Sequence, residues 1–181
     1  MRLFLAVTLP EAVKNQLCAA MDTLRANAVN GRFPRRENLH LTLVFLGEQT
    51  RLDEIKAAME ESADGAFSLS LQGAGTFRRE GGDIWWCGVK RSPDLLALYH
   101  SLCAALRRRG FALKAQEYRP HLTLGRQVVL QDGFDEKGFA ASIAPMELKV
   151  EAVSLMQSLR IDGRLTYRCL FRVPLKEGAG A

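Results

Sequence analysis

The chain has 181 residues, of which 48% are apolar and 25% charged, and its formal net charge is +5 at pH 7. One domain of this length holds enough apolar material for a packed core, and the positive excess favours an anionic partner. No stretch approaches the ~18 apolar residues of a membrane span. The opening Met1–Pro10 is too short for a signal peptide and runs at once into Glu11 and Lys14. Four scattered cysteines (Cys18, Cys87, Cys103, Cys169) form no C-x-x-C pair. They read as reduced thiols of a cytoplasmic protein, not as a disulfide frame or zinc site.

Arg2–Thr8 is apolar and alternating, which predicts a strand. Pro10 then suits the first turn of a helix reaching about Ala28, with Ala12, Val13, Leu17, Ala20, Met21 and Leu24 on one stripe. Asn30–Asn38 is basic and turn-rich. Leu39–Leu46 reads as a strand ended by Gly47, Arg51–Ala63 as a helix with Leu52, Ile55, Ala58 and Met59 inward, and Phe67–Phe77 as a strand. After a turn at Arg78–Gly82 the pattern restarts. A strand is expected at Asp83–Val89 and a helix at Pro93–Arg109, with Leu95, Leu98, Tyr99, Leu102 and Leu106 on one face and Gly110 as its stop. Arg119–Gln127 is a further strand and Val128–Ala144 a long irregular excursion. Met146–Leu159 and Leu165–Val173 read as closing strands joined by an Asp162-Gly163 turn. A single domain is expected over 1–175, with lobes meeting near 78–83 and a disordered tail at 176–181.

Within these elements His-Leu-Thr-Leu occurs twice, at His40–Leu43 and His121–Leu124, and these two copies use two of the three histidines. On a strand, His and Thr of each copy share one face and the two leucines share the other. The histidines lie 81 residues apart, and the same shift places Leu3 on Ile84. The order strand, helix, motif strand therefore repeats, which argues for duplication. Two α+β lobes related by a pseudo-two-fold, each an antiparallel sheet with helices outside, would set both motifs across a central cleft. Such a cleft offers two imidazoles and two hydroxyls, a layout for paired acid–base work on a phosphate.

The contexts Asn38–Gly47 and Arg119–Arg126 resemble the two signatures of the 2H phosphoesterases. The opening Arg2–Val7 and the closing region Leu155–Arg172 are similar to their RNA 2′,3′-cyclic phosphodiesterase branch, formerly called bacterial 2′-5′ RNA ligase. The resemblance spans nearly the whole chain. It implies that His121 is the general base activating water and His40 the general acid protonating the departing 3′ oxygen of a 2′,3′-cyclic phosphate, leaving a 2′-phosphate. By residue chemistry, Thr42 and Thr123 can donate to phosphoryl oxygens, and Arg126 offers a charged planar donor set suited to phosphate. The symmetry of the two motifs leaves the division of labour between the histidines open. The scheme needs no metal and no cofactor, and no third ligand lies near either histidine to make a zinc site.

The implied partner is RNA, or an oligonucleotide, with a 2′,3′-cyclic phosphate end; nothing demands more than a monomer. The same groups can run the reaction backwards into a 2′-5′ linkage. A second reading keeps the fold but turns over small cyclic phosphates or 2′-5′ oligonucleotides; a third is an RNA-end-binding module without turnover. His100 reads as surface. Arg35-Arg36 are placed to touch an RNA backbone, whereas Arg107–Arg109 read as cations at a helix end. Phe45, Phe77 and Trp85 are candidates to stack on a base, set against ordinary core packing.

Overall fold

The computed structural model describes residues 1–177. Its strands are β1 (Arg2–Thr8), β2 (Ala28–Arg32), β3 (His40–Glu48), β4 (Phe67–Phe77), β5 (Asp83–Val89), β6 (His121–Leu130), β7 (Met146–Val150), β8 (Ala152–Ile161) and β9 (Arg164–Pro174). Its helices are α1 (Glu11–Ala26), α2 (Leu52–Glu61), α3 (Pro93–Arg108) and α4 (Glu136–Ser142). Two sheets form, ordered β3-β1-β8-β9 and β2-β6-β5-β4-β7, with every strand pair antiparallel. This is the expected α+β architecture.

The helices follow their apolar stripes. In α1 the buried residues are Val13, Leu17, Ala20, Met21 and Leu24; Ala12 faces out, one step off the stripe. In α3 the Ser92 hydroxyl caps the start by accepting from the Leu95 amide at 3.2 Å, and Leu95, Leu98, Leu102 and Leu106 face inward. Burying each such leucine stabilises the fold by roughly 1.5–3 kcal/mol. One buried cluster runs through both sheets, from Leu3, Leu5 and Val7 of β1 to Leu122 and Leu124 of β6.

Five expectations change. Asn30, Gly31 and Arg32 make β2 unreadable by alternation, yet it pairs with β6 as an edge strand through two irregularities. The excursion at Val128–Ala144 contains α4, whose cap is Asp135 accepting from the Gly138 amide at 2.9 Å. The stretch read as one strand, Met146–Leu159, is two strands split at Glu151: β7 pairs with β4 in one sheet and β8 with β1 in the other. The alternation of β7 gives way there to a run in β8 buried on both faces, with no Gly or Pro to mark the split. Finally, 78–83 is no lobe boundary. It links β4 and β5 within one sheet, while β8 and β9 return to the sheet of β1 and β3. The lobes are interleaved, and α1 packs against β2, β6 and β7 of the second sheet. At the other end, Lys176 is held by a bridge to Gly65 and by its amide donating to Asp64 O at 3.1 Å, so the expected tail does not start there. The remainder of that tail, 178–181, lies outside the described residues.

Candidate active site

Both motif histidines open their strands, β3 and β6, and the two strands approach one another where the sheets meet. Each imidazole is locked in the same way. Nδ1 of His40 lies 2.7 Å from Asn38 O, and Nδ1 of His121 lies 2.7 Å from Arg119 O. A carbonyl only accepts, so Nδ1 carries the proton in both rings and Nε2 is the titrating atom. The first anchor is itself held. Asn38 Nδ2 and Arg35 Nη2 both donate to Leu165 O at 2.9 Å, tying the approach to β3 onto the β8–β9 hairpin.

Strict alternation from His121 and Thr123 would send Arg126 to the opposite face. The register of β5 on β6 shows why it does not. Trp86 faces Thr123 and Trp85 faces Gly125, so β6 carries one extra residue at this point. That bulge flips the parity and turns Arg126 to the face of His121 and Thr123. A second irregularity, with Gln127 at φ 51°, returns Val128 to the core. The first motif repeats the device: Ala6 faces Thr42 and Leu5 faces Val44, again with one extra residue. The position matching Arg126 is there Phe45, 63% exposed. The duplicated site is thus symmetric in His and Thr and asymmetric in its third member.

The walls differ as well. His40 stands edge-on to Tyr167 (5.1 Å, 87°) and 5.0 Å from the Phe4 ring. His121 stands edge-on to Phe77 (5.0 Å, 89°), with Trp86 at 6.5 Å. Trp86 lies flat over Gly75, where no Cβ would fit. Burial pushes both imidazoles below their ordinary value, against the pull of their carbonyl partners; the guanidinium of Arg126 lowers both further, and His121 also lowers His40. These mutual effects place His40, His121 and Arg126 in one electrostatic neighbourhood. Nε2 of His40 is 2.9 Å from Thr42 Oγ1, whereas Nε2 of His121 has no protein partner among the described residues. Tyr118 stacks on Tyr99 (4.2 Å, 9°) and donates its hydroxyl to Thr42 O at 2.9 Å, joining the approach of one motif to the strand of the other.

The other candidates sort by their contacts. Arg35 is engaged by the β8–β9 hairpin and Glu37, and Arg36 by Glu11, so these cations brace the fold. Arg108 and Arg109 pair with Glu61, and Arg78 with Asp83 and Glu136. Trp85 is core and Phe77 is a wall of the His121 pocket, which leaves Phe45 as the exposed aromatic of that group. Phe4, Trp86, Tyr118 and Tyr167 were not singled out by motif. Phe4 had a signal, since β1 is apolar on both faces; Tyr167 lies in a closing region marked only as a whole. Among the described residues no helix is long and apolar enough to cross a membrane.

Two antiparallel sheets presenting a pair of H-x-T motifs across a common space define a two-histidine phosphoesterase architecture. The chain belongs to the 2′-5′ RNA ligase superfamily, whose profile it matches over residues 13–162. An RNA 2′,3′-cyclic phosphodiesterase of Thermotoga maritima is 28% identical over 183 residues, covering 98% of this chain and 97% of the relative. Its counterpart from Archaeoglobus fulgidus is 33% identical over 130 residues, covering 70% and 72%. The E. coli LigT structure solved with 3′-AMP superposes with a TM-score of 0.78 at 27% identity, covering 97% of this chain and 98% of that one.

Proposed function

We propose that the chain hydrolyses 2′,3′-cyclic phosphate ends of RNA to 2′-phosphomonoesters by a two-histidine mechanism. The observation that carries this reading is the pair of imidazoles, each with Nδ1 locked to the carbonyl two residues back and Nε2 left to titrate beside Arg126. The names of the curated relatives support the substrate.

His121, whose Nε2 is free of protein partners, takes a proton from water as that water attacks phosphorus. The P–O3′ bond breaks, and His40 delivers its Nε2 proton to O3′. The products are a 3′-hydroxyl and a 2′-phosphate, and one proton has moved from water to the departing oxygen. The hydroxyls of Thr42 and Thr123 and the guanidinium of Arg126 donate to the non-bridging oxygens as charge grows on them. With a 5′-hydroxyl attacking in place of water, the same steps in the same direction break P–O3′ and join two ends through a 2′-5′ linkage, in keeping with the family's description.

The test is product analysis on an RNA oligonucleotide ending in a 2′,3′-cyclic phosphate, in EDTA, for the unmodified protein, His40→Ala and His121→Ala. The expected result is a 2′-phosphate made by the unmodified protein and lost in both variants. Turnover that persists in either variant, or that EDTA abolishes, refutes the mechanism. Turnover confined to mononucleotides shifts the substrate to small cyclic phosphates, and binding without turnover makes the chain an RNA-end-binding module.

A further inference from the structure

Beside the reaction site, the four-stranded sheet carries a second set of polar groups that the two motifs do not use. The register places Arg2 opposite Ser158, and Ser158 opposite Tyr167, so the three stand in one row across β1, β8 and β9. Their face is that of His40. Phe4 and Ala6 of β1, Met156 of β8 and Tyr167 of β9 form a small apolar cluster there, separate from the main core, and His40 packs on Phe4 and Tyr167. Ser158, the smallest of the three, stands between an arginine on one side and a phenol on the other. Arg2 is exposed and makes no ion pair or side-chain hydrogen bond among the described residues, and neither does the Tyr167 hydroxyl. Burial pushes the phenol upward, so it stays a neutral donor, while the charges of Arg126 and Arg2 both act on it. Tyr167 is therefore close to the guanidinium that serves the reaction and to the one that does not.

The corresponding face of the five-stranded sheet is different. Beyond His121 it presents Trp86, Gly75 and Phe77, and its outermost strand carries Glu147, bonded to Ser68, and Lys149, paired with Glu151. Its other edge strand, β2, sets an exposed Arg32 directly opposite Arg126, next to the motif's own guanidinium and away from the wall of His121.

We propose that Arg2, Ser158 and Tyr167 form a subsite for the phosphodiester that immediately precedes the cyclic phosphate in an RNA strand. The subsite rests on the RNA reading above and gives it a direction: the strand leaves the reaction site across the four-stranded sheet. An unpaired guanidinium next to neutral hydroxyl donors suits a singly charged diester. Tyr167 joins this row to the motif, its ring standing 5.1 Å from that of His40, while Arg2 lies at the far end of β1, opposite Glu48 of β3.

The test compares three substrates: uridine 2′,3′-cyclic phosphate, a uridine dinucleotide ending in the same group, and that dinucleotide with a neutral methylphosphonate linkage. Both dinucleotides carry a 2′-O-methyl on the first ribose, so that the linkage survives. The unmodified protein is expected to show kcat/KM about tenfold higher on the charged dinucleotide than on the other two. Arg2→Ala should bring the charged dinucleotide down to the mononucleotide's value while leaving mononucleotide turnover within about twofold, and its salt slope should shrink by about 0.7. Arg2→Glu should lower the charged dinucleotide further. Equal rates on charged and neutral dinucleotides, or a preference that survives Arg2→Ala, overturn the subsite. So does an equal loss on all three substrates in Arg2→Ala. Absence of turnover on all three by the unmodified protein refutes the catalytic reading itself, an outcome distinct from either.

Discussion

The pockets of His40 and His121 are built from the same local rule and finished differently. In both, a strand opens on histidine, Nδ1 is tied to the carbonyl two residues back, and one extra residue turns the third group into the cleft. That third group is Arg126 in one copy and Phe45 in the other. His40 has a hydroxyl on Nε2 and a phenol for a wall, whereas His121 has a free Nε2 and an indole. Duplication supplies two equivalent acid–base groups, and the proposed division of labour follows the departures from symmetry: in that reading the free Nε2 of His121 takes the base's part and the Thr42-bonded Nε2 of His40 the acid's.

The largest effect is expected from removing either imidazole. His40→Ala and His121→Ala should each lower kcat by ~10²–10⁴-fold on a cyclic-ended oligonucleotide. Comparable losses would mark the pair as complementary; a loss in one alone would break the symmetry altogether. Next, Arg126→Ala removes a charged donor from the developing phosphoryl charge and should cost ~10²-fold or more in kcat. Arg126→Lys should recover only part of that, because an ammonium lacks the planar fork.

The pH dependence sharpens the comparison. Burial first, and Arg126 second to the opposing carbonyl bond, shape both histidines below the ordinary value of about 6.5. The kcat/KM profile should therefore peak below about pH 6.5. Arg126→Ala should move the peak upward, and Phe45→Arg, which makes the third position symmetric, should move the His40 limb downward; the pH–rate profile of each variant checks both. The sign for stability follows from the same shifts. As pH falls through about 6.5 the unfolded chain binds these protons before the folded one does, so the histidines withdraw stability below that pH and not above it. Tm should fall between about pH 6.5 and pH 5, and His40→Asn should flatten the fall. The smallest effect belongs to Tyr118→Phe, which loses one hydrogen bond to Thr42 O and should cost about 1 kcal/mol in denaturant unfolding.

Much of this was legible in the chain because it is local. Short apolar or alternating runs marked β1, β3, β5 and β6, and a 3.6-residue stripe marked α1, α2 and α3, since burial follows each element's own period; β1 is buried on both faces. The repeated H-x-T placed His40, Thr42, His121 and Thr123 on the exposed sides of leucine-backed strands, and spacing alone sufficed for that. Arg126 was picked out by its type and nearness, although strict alternation points it away; the bulge that turns it into the cleft exists only in the pairing of β6 with β5.

What tertiary structure alone decided is whatever depends on partners distant in the chain. Sheet membership is one case: β7 and β8 follow one another with only Glu151 between them yet belong to different sheets, because pairing with β4 or β1 is a contact between distant segments. The fate of Arg35 is another, since its partner Leu165 lies 130 residues away. Tyr167 is the third. It lies in a closing region marked only as a whole, and it meets His40 because β9 comes back beside β8 across the first sheet. Periodicity reports which face of a strand is buried, but not which strand will lie next to it.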